Sequence, residues 1–126
     1  MTLTNTPDPQ KARLRATFNA KVSKREEWVR LDITGTGNLR GLIVAEHVHA
    51  NGKRSEQARH SYFFGDLIVD EGDAVILHSD EGKDREDKSG GKTLHHCYWG
   101  AGKVWSGSDG VCSFYWSRLF GEVEAA

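Results

Sequence analysis

From Lys11 to Val22 the chain alternates without a break, with Ala12, Leu14, Ala16, Phe18, Ala20 and Val22 set against Lys11, Arg13, Arg15, Thr17, Asn19 and Lys21. Successive side chains of a strand point to opposite faces, so this period of two predicts a strand with one core face and one basic face. A helix would scatter the same apolar residues around its circumference. The rhythm returns from Glu27 to Thr34, where Val29, Leu31 and Ile33 face inward. It returns again from Gly41 to His49, with Leu42, Val44 and Val48 on one face and Ile43, Ala45, His47 and His49 on the other. Gly and Asn at 35–38 and the Asn51-Gly52 pair are turn signals. Further strands are predicted at Ser61 to Phe64, Leu67 to Val69, Ala74 to His78, Thr93 to Trp99 and Val111 to Trp116. The charged run 53–60 and the stretch 79–92, which has no apolar residue, read as exposed loops.

Short strands at roughly ten-residue spacing predict an all-β chain, an antiparallel β-sandwich of about seven to nine strands. Composition agrees, since 14 glycines and 12 aromatics against two prolines suit strands and tight turns. The 126 residues suffice for one core and not for two, so residues 1–10 read as a leader without order and 11–126 as a single domain. Seventeen Lys and Arg against 18 Asp and Glu leave a formal charge of −1, which excludes a globally basic nucleic-acid binder. No apolar run approaches the ~20 residues of a spanning helix. The polar start, without an apolar leader, places the chain in the cytoplasm, where Cys97 and Cys112 are expected as thiols.

The residues also carry a resemblance. Glu27-Trp28-Val29-Arg30-Leu31, a Gly/Asn turn and Leu39-Arg40-Gly41-Leu42 resemble the opening of a lamin tail domain. Tyr62-Phe63-Phe64-Gly65-Asp66 is similar to that family's aromatic strand, and the run from Val69 to Leu77 to its Leu-x-x-Gly strand pair. Val104-Trp105 with Ser108-Asp109 resembles its Trp-x-x-x-Gly-Asp element. The match covers about residues 26–121; it departs where Thr34-Gly35, Leu42 and Gly65 replace the usual Asn, Trp and Pro. The resemblance implies an immunoglobulin-like fold and a stand-alone, non-enzymatic interaction module for a protein partner.

Three sets of residues bear on that expectation. Lys11, Arg13, Arg15, Lys21, Lys24 and Arg25, with no acid among them, form a stripe that either contacts phosphates or guards a sheet edge; nucleic-acid binding is the alternative function. His47 with His49, and His95 with Cys97, are spaced i, i+2 and would supply four zinc-type ligands if their strands were neighbours, the basis of a weaker metal-dependent alternative. Trp105 lies among Gly and Ser and is the aromatic expected to stand exposed as a contact residue. No catalytic motif occurs, and the sequence implies no cofactor. A flat exposed edge would also allow a homodimer through strand pairing.

Overall fold

A computed structural model describes the backbone of residues 14–50, 53–105 and 110–125, and the side chains in these ranges except at 49, 50, 54–57 and 110. Among the described residues there are ten strands and no helix. They are β1 (Thr17–Ser23), β2 (Trp28–Gly35), β3 (Gly37–Asn38), β4 (Leu42–Ala50), β5 (Lys53–Phe63), β6 (Ile68–Val69), β7 (Ala74–His78), β8 (Arg85–Ser89), β9 (Lys92–Tyr98) and β10 (Gly110–Trp116). A five-stranded sheet runs β1-β2-β7-β9-β8, a three-stranded sheet runs β10-β4-β5, and β3 pairs with β6. All pairings are antiparallel except β7 with β9.

Two sheets form because each has one apolar face. On the five-stranded sheet Val29, Leu31, Val75, Leu77 and Cys97 stand in register and are buried. On the other, Leu42 and Val44 of β4 pair with Trp116 and Phe114 of β10, and Val44 with Tyr62 of β5. These residues form one cluster between the sheets, so the chain is a β-sandwich. Phe18 joins it edge-on to Phe114, with ring centroids 5.5 Å apart. Burying such side chains stabilises the fold by roughly 1.5–3 kcal/mol each.

The alternation of β2 and β4 emerges as predicted, but three expectations change. The first strand starts at Thr17 rather than Lys11. The backbone of Leu14, Arg15 and Ala16 instead lies against Gly37, where a Cβ would stand 2.6–2.8 Å from it, and Arg15 bridges Asn38. Leu14 is accordingly 52% exposed, not core. Residues 53–60 belong to β5. The polar stretch 79–92 contains β8, exposed throughout and held by its backbone pairing to β9. Gly90 (φ 58°) and Gly91 (φ 78°) close that hairpin with the two positive angles a two-residue turn needs. Cys97 and Cys112 lie in different sheets and are free thiols, as expected.

Trp105 reverses its expectation, being 1% exposed and among the largest fully buried side chains. Its ring packs against Trp99 at 6.1 Å. Glu27, in a left-handed conformation at φ 58°, holds it there. The Glu27 carboxylate accepts hydrogen bonds from the Val104 N–H (2.7 Å), the Trp105 N–H (3.2 Å) and the Ser79 hydroxyl (3.0 Å). Trp105→Ala should cost about 3–5 kcal/mol through the cavity it leaves, and Glu27→Ala about 1–3 kcal/mol through buried donors left unsatisfied. In urea unfolding followed by circular dichroism, the double variant should lose less than the sum, because one side chain holds the other. Phe120→Ala, fully exposed, should stay within about 0.5 kcal/mol of the parent.

Candidate functional site

A concavity of about 960 Å³ lies where the outer face of the three-stranded sheet meets the segment after β10. Parity along the strands builds it. Tyr115, Ile43 and Phe63 stand side by side across β10, β4 and β5, pointing away from the core that their neighbours Trp116, Leu42 and Tyr62 face. Phe63 is 62% exposed and Tyr115 is also exposed. Ile43 and Phe63 line the concavity with Leu14, Phe64, Leu119 and Phe120. Leu119 is 72% exposed and Phe120 wholly so. Isolated apolar residues on a surface are ordinary; a contiguous set around one groove marks a contact surface.

The rim of the groove is cationic. Arg15, Arg40 and Arg118 stand around it against the single carboxylate of Asp66. Arg40 Nη1 donates to Asp66 Oδ2 at 2.8 Å, and the Arg15 guanidinium lies 5.3 Å from the centroid of the Trp116 ring, a cation–π position. The floor is fixed by Asn38, buried at the β3 pairing. Its Oδ1 accepts from the Arg40 N–H (2.9 Å) and the Leu67 N–H (3.0 Å), while Nδ2 donates to Asp66 (3.1 Å).

Four of the six cations of the basic stripe are described, and they do not share one face. Lys11 and Arg13 lie outside the described residues. Arg15 turns into the groove, Lys21 is exposed and pairs in register with Arg30 on β2, and Lys24 and Arg25 occupy the β1–β2 turn. The four described cations thus stand in three different surroundings. Trp105, being buried, is no contact residue.

The two histidine pairs also stay apart, because β4 and β9 belong to different sheets. His47 Nε2 stands 3.3 Å from the Tyr115 hydroxyl, and the side chain of His49 lies outside the described residues. Among the described residues, no three His, Cys, Asp or Glu side chains stand together as a metal would require. Around His95 there is nevertheless a definite arrangement. Its Nε2 faces Asp73 Oδ2 at 3.3 Å, and both side chains are buried. Asp73 also accepts from the Asp70 N–H (2.9 Å) and the Thr93 N–H (3.0 Å). Cys97 shares the wall of the adjoining small cavity, its thiol pushed up to about 12 by burial and by nearby Asp84.

Two buried acids escaped the sequence reading. One is Asp73; the other is Glu46, which sits at the core parity of β4, in phase with Leu42 and Val44. A bulge in β5 answers it: His60 pairs with Glu46 and Ala58 with His47, which leaves Arg59 as the extra residue. Two residues against one bring both side chains to the carboxylate, Arg59 through Nε (3.0 Å) and Nη2 and His60 through Nδ1 (3.0 Å). On the outer face of the other sheet, His78 stacks on Tyr98, with ring centroids 4.5 Å apart, and its Nε2 stands 2.9 Å from His96 Nδ1.

No protein-family model, curated protein or solved structure matches the chain.

Burial pushes the Glu46 and Asp73 carboxyls up, but the hydrogen bonds from Arg59 and His60, and from the Asp70 and Thr93 amides and His95, outweigh it and hold both below their ordinary 4.5 and 3.8. Their stabilisation is complete above about pH 4.5 and is lost as pH falls through the lowered values. His78 is lowered too, by burial and then by the charge of His96, so its loss starts as pH drops below 6.5. Chemical denaturation should therefore show stability declining from pH 7 to pH 3. Glu46→Gln should cost about 1–3 kcal/mol at pH 7 and progressively less towards pH 3.

Proposed function

We propose that this domain is a non-enzymatic interaction module, similar to a lamin tail domain, that binds an acidic, apolar segment of a protein partner in the groove between Phe63 and Arg118. One observation carries this reading: an exposed apolar row bordered by three arginines and one acid. Such a surface favours a ligand that buries aromatic or aliphatic side chains and carries carboxylates to the rim, where Arg forms paired hydrogen bonds. Nucleic-acid binding is less well supported, because the four described cations of the basic stripe stand in separate surroundings.

Selection of random displayed peptides on the purified domain tests this. Enriched peptides should combine one or two large apolar residues with Asp or Glu. Phe63→Ser and Arg118→Glu should each weaken their binding at least about tenfold, as loss of a central contact does. Both side chains are exposed, so the urea midpoint should not move. Equal affinity for the variants, or displacement of the peptides by a DNA duplex, would overturn the assignment.

A further inference from the structure

Six large apolar side chains stand exposed among the described residues: Leu14, Phe63, Tyr115, Leu119, Phe120 and Val123. They fall into two sets. Leu14 and Phe63 line the groove, and Tyr115 stands in the same row across the sheet. Leu119, Phe120 and Val123 belong to the segment after β10, which reads Leu119-Phe120-Gly121-Glu122-Val123-Glu124. Single apolar residues on a surface are ordinary, but three within five consecutive positions, none less than 72% exposed, call for a cause. This segment carries two carboxylates and no cation, whereas the groove rim carries three arginines and one carboxylate.

Given that the groove takes acidic, apolar segments, we infer that it takes Leu119–Glu124 of a second copy of this chain, reciprocally, so that two domains form a two-fold symmetric dimer. In such an interface both copies present the same surface, here one groove and one segment each, and a single docking covers both exposed sets. The segment does not fill its own groove. Ser117 is tied to the Gly41 carbonyl by two hydrogen bonds of 2.8 Å, one from its N–H and one from its hydroxyl. From that anchor the chain contributes to the groove wall as far as Phe120, while residues 121–125 are exposed and line no part of it. Alternation supplies the fit. In an extended segment Leu119, Gly121 and Val123 share one side, and Phe120, Glu122 and Glu124 the other. The first side settles on the apolar row, where Gly121 lets the backbone approach, and the two glutamates turn to the arginines, which bind carboxylates through paired hydrogen bonds. A contact built from two such short segments lies at the small end of protein interfaces, so the dimer is reversible and dilute protein is monomeric.

Sedimentation equilibrium of the full chain should show the mass rising from one chain to two with concentration. Phe63→Ser in the groove, and Glu122→Lys with Glu124→Lys in the segment, should each weaken the dimer at least about tenfold. All three positions are exposed, so circular dichroism should find both variants folded. A synthetic peptide of residues 117–126 should bind the segment variant, whose groove is intact, and not Phe63→Ser. A chain that stays monomeric into the millimolar range would overturn the inference, as would a dimer that survives the segment variant, the result expected of pairing through a sheet edge. Displayed acidic peptides that bind the groove while the 117–126 peptide does not would sink the self-docking alone and leave the interaction module standing. Failure of every peptide to bind would remove both.

Discussion

The sandwich depends on how the Glu27 carboxylate holds the chain at Val104 and Trp105. The two large sheets meet over residues that are mostly Val, Leu and Cys, and the widest side chain in the interior, Trp105, comes from no strand at all. A Gly-rich connector has little tendency to insert a tryptophan into a core, because glycine loses the most backbone freedom on ordering. Glu27 supplies the missing restraint with three hydrogen bonds from one side chain, two of them to backbone groups that would otherwise lie buried and unmet. It does so from a left-handed conformation that costs a non-glycine residue free energy. The surrounding bonds determine that conformation: the Glu27 carbonyl also accepts from the Ser79 N–H, tying the β1–β2 turn to the end of β7. Among the described residues the Trp105 indole N–H has no hydrogen-bond partner, a further cost that the packing of the ring offsets.

Where side-chain rhythm alone decided structure, the sequence was legible. β2, β4, β7 and β10 stand close to where alternation puts them, and the separation of Leu42 and Val44 from Ile43, Ala45 and His47 distinguishes the two faces of β4 correctly. Rhythm fails where the backbone does the holding. β8 has no apolar residue to announce it and exists because its amides pair with β9 across Gly90 and Gly91, a glycine pair that signals such a turn. It also fails where one residue changes the count. The bulge at Arg59 inverts the phase of β5 halfway, so the residues before it read as a charged loop. Leu14 and Ala16 keep perfect alternation, yet the close approach of Gly37 ends the strand before them.

The buried acids were hidden for a related reason. In sequence, Glu46 is one acid among 18, and Asp73 belongs to an acidic turn of the kind found on any surface. Their position becomes visible only through phase. Glu46 follows Leu42 and Val44 at the inward parity, where an ionised side chain is tolerated only with partners at hand. The bulge that obscured β5 provides those partners. Specification of the fold by polar contacts therefore recurs three times, at Glu27, Glu46 and Asp73, each a carboxylate that accepts from two or more donors brought from a distant part of the chain.

Asn38 links the groove to the rest. Its amide, 3% exposed, fixes Asp66 on the groove rim and the Leu67 backbone, and Leu67 in turn lines the cavity beside His95. The segment from Phe63 to Leu67 thus contributes to both concavities and is held by one side chain between them. Asparagine is suited to this, since a single planar group accepts from two backbone N–H groups and donates to a carboxylate at once. An aspartate in its place would keep the acceptors but set a second negative charge against Asp66. The geometry of the apolar groove therefore rests on a polar group in the two-residue strand β3, which pairs with β6 on one side and is bridged by Arg15 on the other.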